Sequence, residues 1–445
     1  MIAKVNVVKD KLEQNELCPA LFASFRRFGF ISRRGRELSV AAKAFVELVK
    51  KSPLPIVHQP ARSPGGQATL SEAPVTHAPS SATSQPRAPE ALLTPLRFIE
   101  RSARVYPGKL AVRYGQPDQT YSQFARRVRQ LASALRQAGL QPGDRVAFIC
   151  ANLPPLLEAH FGVPLAGGVL VPINVRLAAG EIACILNHSG ARFLFVDSQF
   201  SASVRPLRGH LETPLEMIDI VDGQRTKPLG NLTYEDFLES GSAKTATWPL
   251  KNEDELISLN YTSGTTGKPK GVMFSHRGAY LNALGNIIEL GLTSASIVLW
   301  TLPMFHCNGW GLTWAATAVG ATHICLRKFE DATIWRLITM ENVSHLCGAP
   351  SLMAHLLNCP DRPTALRQPL AVFVGGAPPS AELIQQWEAL GARFLHGYGL
   401  TETCGGYVIC EPQPEWAKLP PAERARLLRR QGVPFVTGDA LRIVD

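Results

Sequence analysis

From residue 93 onward the apolar positions alternate between two periods. Residues 121–135 place Phe124, Val128, Leu131 and Leu135 on one helical face. Residues 145–150 (Arg-Val-Ala-Phe-Ile-Cys) are a continuous apolar run of strand length. The alternation then repeats: helices over 154–166 and 179–188 are followed by strands over 169–173 and 191–196. A helix over 94–103, with Thr94 as its cap and Pro95 at its first position, opens the series, and a strand over 110–114 follows it. Residues 255–260 read as a short buried strand, and helical spacing resumes from Ser275. Two later apolar strands each run into Gly-Ala-Pro, at 348–350 and 376–378. This order predicts an α/β domain of parallel sheets with helices on both faces.

The first 92 residues follow another pattern. Residues 39–50 form a short amphipathic helix with Ser39 as its cap, and residues 21–30 read as a strand and turn. Residues 56–92 are rich in Pro, Ala, Ser, Thr and Gly. Such a stretch buries too little apolar surface to order itself and reads as a disordered linker. Three domains are therefore expected: a basic segment over 1–55, the linker over 56–92, and a globular domain over 93–445.

Composition narrows the function. The chain has 445 residues, 45% hydrophobic and 18% charged, an ordinary globular balance. Its formal charge of +10 suggests a polyanion partner, but residues 1–51 hold 11 Lys/Arg and 5 Asp/Glu, so +6 lies there. The +4 left for the remainder requires no nucleic acid. The nine cysteines are scattered without a CxxC pair, which suits a reduced, cytoplasmic protein. No signal peptide is evident in residues 1–10. Residues 290–326 lack any Asp, Glu, Lys or Arg. Pro303, His306, Asn308 and four glycines interrupt that run, so it reads as a buried, pocket-lining region and not as a membrane span.

The chemistry concentrates in Tyr261-Thr-Ser-Gly-Thr-Thr-Gly-Lys-Pro-Lys-Gly271, with three glycines, three threonines, one serine and two lysines. Gly264 and Gly267 let backbone N–H groups face inward around an anion. Thr262, Ser263, Thr265 and Thr266 add hydroxyls, Lys268 and Lys270 add positive charge, and Pro269 stops helix formation. The common P-loop has four residues between its glycines and a Ser or Thr after the lysine; here there are two, and Pro269 follows Lys268.

This stretch resembles the AMP-binding signature of the acyl-adenylate-forming enzymes: acyl-CoA synthetases, luciferases and peptide-synthetase adenylation domains. The resemblance implies ATP-driven activation of a carboxylate, and it covers residues 93–445. Leu302-Pro-Met-Phe-His-Cys-Asn-Gly-Trp310 resembles the acyl-CoA synthetase motif at the carboxylate. By that likeness His306 orients the acyl group, Asn308, Gly309 and Trp310 border it, and Gly311 and Trp314 line the acyl pocket. Gly348 and Ala349 join that pocket. Gly375, Gly376, Ala377 and Pro378 border adenine. Arg393-Phe-Leu-His-Gly-Tyr-Gly-Leu-Thr-Glu-Thr403 resembles a second family signature. It implies that Gly397, Tyr398 and Gly399 receive adenine, Thr401 binds the α-phosphate, and Glu402 with Thr262 holds magnesium. Lys270, Thr401 and His306 are the implied catalytic residues; ATP, magnesium and coenzyme A are the implied cofactor set. The implied activity is an acid–thiol ligase acting on a medium- or short-chain carboxylic acid.

Two readings compete with an active ligase. In the family a Thr-Gly-Asp aspartate holds the ribose, but here residues 441–445 match an earlier strand, so Asp439 reads as a turn residue. The expectation is then an incomplete β subdomain, with neither the ribose aspartate nor the C-terminal lid and its lysine, and impaired activity. A catalytically inactive fragment that at most binds ATP or AMP is the first alternative. The second rests on residues 33–45, which resemble the tail of a LysR-type regulator's effector domain. The sequence leaves acyl length and oligomeric state open, self-association included.

Overall fold

The apolar run Arg145–Ile149 is the centre of a seven-stranded sheet, with Val169–Pro172 and Ala191–Asp197 parallel on either side. A computed structural model describes residues 91–115, 117–223, 227–244, 250–262 and 269–442. The expectations for residues 1–55 and for the linker up to residue 90 lie outside the described residues. Among the described residues the strands form two sheets, of seven and nine strands.

The seven-stranded sheet runs, edge to edge, Leu232–Thr233, Glu216–Ile220, Ala191–Asp197, Arg145–Ile149, Val169–Pro172, Leu256–Thr262 and Lys270–Ser275. The other runs Val433–Pro434, Gly405–Ile409, Arg393–Leu400, Ala371–Val374, His345–Gly348, Ile297–Leu299, Thr322–Ile324, Leu110–Arg113 and Gln119–Thr120. Their interiors are parallel and buried on both faces, as helical crossovers require.

Three of the four edges are antiparallel, a difference from the sequence expectation; Leu232–Thr233 alone pairs parallel, with Glu216–Ile220. Leu256–Thr262 and Lys270–Ser275 form a hairpin in which Thr262 faces Lys270. Arg393–Leu400 runs parallel to Ala371–Val374 over its first half and antiparallel to Gly405–Ile409 over its second. Both follow from connection length: neighbouring strands joined by a short loop cannot be parallel, because a parallel crossover needs a dozen or more residues. The strand through Gly397-Tyr398-Gly399 therefore ends at Leu400, and the chain returns along it as Gly405–Ile409.

Helix starts obey local chemistry. Thr120 caps Tyr121–Gln137 through a box in which its hydroxyl accepts from Gln123 N and Gln123 Oε1 accepts from Thr120 N. Leu96–Val105 begins one residue later than expected, with Pro95 at the cap position. The Thr94 hydroxyl still accepts from Leu96 N at 3.2 Å. It also bonds the Nδ1 of His276 at 2.8 Å, tying this helix to the start of His276–Leu290.

The charge-free stretch is core. It contains Ile297–Leu299, Leu312–Val319 and Thr322–Ile324, and Trp300 and Trp314 are fully buried. No described helix is long and apolar enough to cross a membrane.

Candidate functional site

Residues 261–271 are the loop and flanks of the hairpin. Tyr261 pairs with Gly271 and Thr262 with Lys270, so the two strands bring a threonine and a lysine side by side at the mouth of the loop. Ser263, Gly264, Thr265, Thr266, Gly267 and Lys268 lie outside the described residues. The Tyr261 hydroxyl bonds His188 Nδ1 at 2.7 Å, and burial pushes its pKa up to about 12. Lys270 is exposed, and the strand it begins packs against the turn Thr401–Thr403. That turn carries the exposed Glu402 and the buried Thr401.

The turn is shaped by its neighbours. Gly399 must be glycine, because a Cβ there would overlap the carbonyl oxygen of Gly405 across the hairpin. The Thr403 hydroxyl accepts from Leu400 N at 2.9 Å and closes the turn. Tyr398 points outward, 40% exposed. Gly397 is buried, and Gly375 lies at the end of the adjacent strand, its N–H donating to Gly348 O at 3.3 Å. Gly376, Ala377 and Pro378 are exposed beyond it. Ala349 caps the helix Pro350–Leu357. The two Gly-Ala-Pro runs thus stand side by side at the carboxyl ends of parallel strands, where α/β sheets present ligand sites.

The His-Cys-Asn-Gly-Trp run holds the largest departure from sequence expectation. Cys307, Asn308, Gly309, Trp310 and Gly311 have φ of 44°, 46°, 59°, 47° and 79°, a left-handed run of five residues. A non-glycine residue there costs roughly 1–2 kcal/mol, and asparagine tolerates it best. The cost persists only where surrounding structure enforces it. Here buried asparagines do so. Asn152 donates to Trp300 O and Leu302 O at 2.8 and 2.9 Å and accepts from Met304 N at 2.8 Å. Asn308 Oδ1 accepts from Ser258 Oγ at 2.9 Å and Asn260 Nδ2 at 2.6 Å. Asn286 donates to Trp310 O at 3.1 Å, and Asn282 donates to Gly406 O at 2.7 Å. A Cβ on Gly311 would overlap Asn282 Oδ1.

This run joins the motifs. Asn308 ties it to the strand that leads into the glycine-rich loop. The Trp310 ring packs edge-on against Phe373 and lies 3.2 Å from where a Cβ of Gly375 would sit. Cys307 Sγ is 3.2 Å from Thr401 Oγ1. His306 reaches the surface, and partial burial of its ring lowers its pKa. Trp314 is fully buried, its Nε1 donating to His160 O. Asp439 follows the turn Phe435–Gly438, and its carbonyl accepts from the Tyr407 hydroxyl at 2.9 Å.

Sequence reading passed over Asn152, Ser258, Asn260, Asn282, Asn286 and Cys307. A signal existed: Asn282 and Asn286 are four apart on one helical face among apolar residues, and Asn260 sits inside an apolar strand. Buried amides in such places must find partners.

Among the described residues no group of three or more His, Cys, Asp and Glu side chains converges on one point. Magnesium held by one carboxylate and phosphate oxygens needs no such cage. A cavity of about 710 Å³ beside Leu211, Pro214, Met217 and Leu229 lies at the edge of the seven-stranded sheet opposite the hairpin.

Two mainly parallel sheets with helices, and the signature turns at strand carboxyl ends, make this an α/β domain of the AMP-binding enzyme kind. The AMP-binding enzyme model matches residues 99–445, and the chain belongs to that family. 4-Hydroxybutyrate–CoA ligase 2 of Metallosphaera sedula is 41% identical over 351 residues, covering 78% of this chain and 64% of that one. The peroxisomal acetate/butyrate–CoA ligase AAE7 of Arabidopsis thaliana is 39% identical over 371 residues, covering 79% and 65%. The chain thus spans just under two thirds of the length of these curated relatives. The anthranilate CoA ligase AuaEII, solved with anthranoyl-AMP, superposes with a TM-score of 0.69 at 23% identity, covering 78% of this chain and 65% of that one. The N-terminal domain of FACL13 from Mycobacterium tuberculosis does so with 0.66 at 24%, covering 77% and 83%. At these identities the structures speak to the fold.

Proposed function

We propose that this chain binds ATP and a short carboxylic acid as an AMP-forming acyl-CoA ligase does. One observation carries the reading: the Thr401–Glu402 turn packs against the strand begun by Lys270, and Thr401 touches the residue next to His306. Thr401, assigned to phosphate, thus stands beside both the strand that carries Lys270 and the motif assigned to the acid, which supports the reading.

In the proposed reaction a carboxylate oxygen attacks the α-phosphorus of ATP. The bond to the bridging oxygen breaks, and pyrophosphate leaves with that electron pair. The thiolate of coenzyme A then attacks the acyl carbon, and AMP departs. Thr401 and the hairpin donors with Lys270 stabilise charge on the phosphate oxygens, and His306 orients the acid. Adenine lies by Gly375–Pro378 and Gly397–Gly399, with Tyr398 against it. Trp310 and Gly348–Ala349 border the acyl group. Glu402 is an exposed hard-oxygen donor at the same turn and, with Thr262, would hold magnesium, which supplies charge neutralisation on the phosphates. The acids named for the relatives, 4-hydroxybutyrate and acetate or butyrate, support a short acyl group. The scattered cysteines support a cytoplasmic location.

Pyrophosphate–ATP exchange over a panel of C2 to C8 acids tests the reading. Exchange that depends on a short acid is the expected result. Stabilisation by AMP without exchange for any acid would leave a nucleotide-binding domain only. Absence of both sinks the proposal.

A further inference from the structure

Thr401 is 8% exposed, and its hydroxyl touches the Cys307 thiol, itself 6% exposed, at 3.2 Å. Cys307 reaches that position because its backbone is left-handed, at φ 44°. Four structural features hold it there. Asn308, next in the chain, is bonded to Ser258 and Asn260. Trp310 is bonded through its carbonyl to Asn286. Asn152 fixes the preceding loop at three points. Space for Gly311 is bounded by Asn282. A strained backbone, enforced from several elements, delivers one thiol to one hydroxyl. Burial raises the Cys307 pKa by more than the Thr401 contact lowers it, so the thiol keeps its proton at neutral pH.

We infer that Cys307 is a positioning residue: its S–H donates to Thr401 Oγ1, fixing the rotamer in which Thr401 O–H donates to a nucleotide phosphate. The inference rests on the proposed nucleotide reading of Thr401. It adds a link between the acid and phosphate sides, since Cys307 adjoins His306 in the chain. A thiol is a weak donor, and its value here lies in orientation: a hydroxyl already turned loses no rotamer freedom on binding.

The test compares adenosine with AMP on the 445-residue chain, by calorimetry at neutral pH, because only AMP carries the phosphate. The native chain is expected to prefer AMP. Thr401→Ala removes most of that preference. Cys307→Ala reduces it on the order of three- to tenfold, as for one lost hydrogen bond, with adenosine binding unchanged. In the Thr401→Ala background, Cys307→Ala has no further effect. Cys307→Ser keeps a donor in place and keeps the preference, and it serves alone if the alanine variant does not fold. A folded Cys307→Ala with native AMP preference overturns the inference, as does a folded serine variant that loses the preference. If the native chain prefers AMP but Thr401→Ala does too, both this inference and the phosphate role of Thr401 fall. A native chain that binds neither ligand overturns the nucleotide reading itself.

Discussion

Asn260 Nδ2 donates to Asn308 Oδ1 at 2.6 Å, with both side chains buried. The bond spans two sequence motifs: Asn260 stands two residues before Thr262, at the entrance to the glycine-rich loop, and Asn308 lies in the left-handed run that holds Cys307 and Trp310. Asn308 therefore does two jobs. Its side chain accepts from two buried donors, and its backbone adopts a conformation that asparagine tolerates.

Asn308→Ala should lower unfolding stability by about 2–4 kcal/mol, because Ser258 and Asn260 each lose a partner and alanine at φ 46° is strained. Asn308→Gly should recover only the backbone part. Urea denaturation of both variants measures this. A loss under about 0.5 kcal/mol for the alanine variant would mean that the site relaxes freely.

Two glycines with similar backbone angles should respond differently. Gly311 at φ 79° has Asn282 where a Cβ would go, whereas Gly376 at φ 83° faces open space. Gly311→Ala should cost about 3 kcal/mol or more, or prevent folding, through overpacking added to strain. Gly376→Ala should cost only the strain of about 1 kcal/mol. Equal denaturation midpoints would contradict the packing argument.

Stability should fall in mild acid. Burial lowers the pKa of His160 and of His276 to about 4. In the unfolded chain both take a proton near pH 6.5. The folded state thus binds fewer protons between these values, and the contribution is complete above pH 6.5 and lost as pH drops toward 4. Each histidine contributes a slope of about 1.4 kcal/mol per pH unit in that window. Replacing His276 with Gln should flatten the profile by one such slope, measured by urea titration at several pH values. An unchanged slope would mean that His276 titrates normally in the fold.

Glu402 is exposed, so its role is read in chemistry and not in stability. Glu402→Gln should raise the magnesium concentration needed for half-maximal pyrophosphate exchange about tenfold or more, since one of few hard ligands is lost. Its urea midpoint should stay within about 0.5 kcal/mol of native. Native magnesium dependence in this variant would remove Glu402 from the metal site.

Much of the domain was legible because periodicity reports burial. The helix Tyr121–Gln137 and the strand Arg145–Ile149 appear where the apolar spacing put them. The antiparallel edges were less legible. Nothing in the strand Leu256–Thr262 states that its next neighbour runs backward; the short connection to Lys270 does so. The run Cys307–Gly311 was not legible. Left-handed backbone over five residues has no propensity signature, because contacts from three distant segments enforce it.

The alternation of helix and strand, and the residue types that fill the two signature stretches, were legible in the sequence alone, since both depend on residues near one another in the chain. Where Cys307 meets Thr401, and how Asn152, Asn260 and Asn286 hold the turn between them, was decided only by tertiary structure. Those partners lie 94, 152, 48 and 24 residues apart. Whether a buried amide finds its partner depends on how the two sheets pack, and no local rule records that.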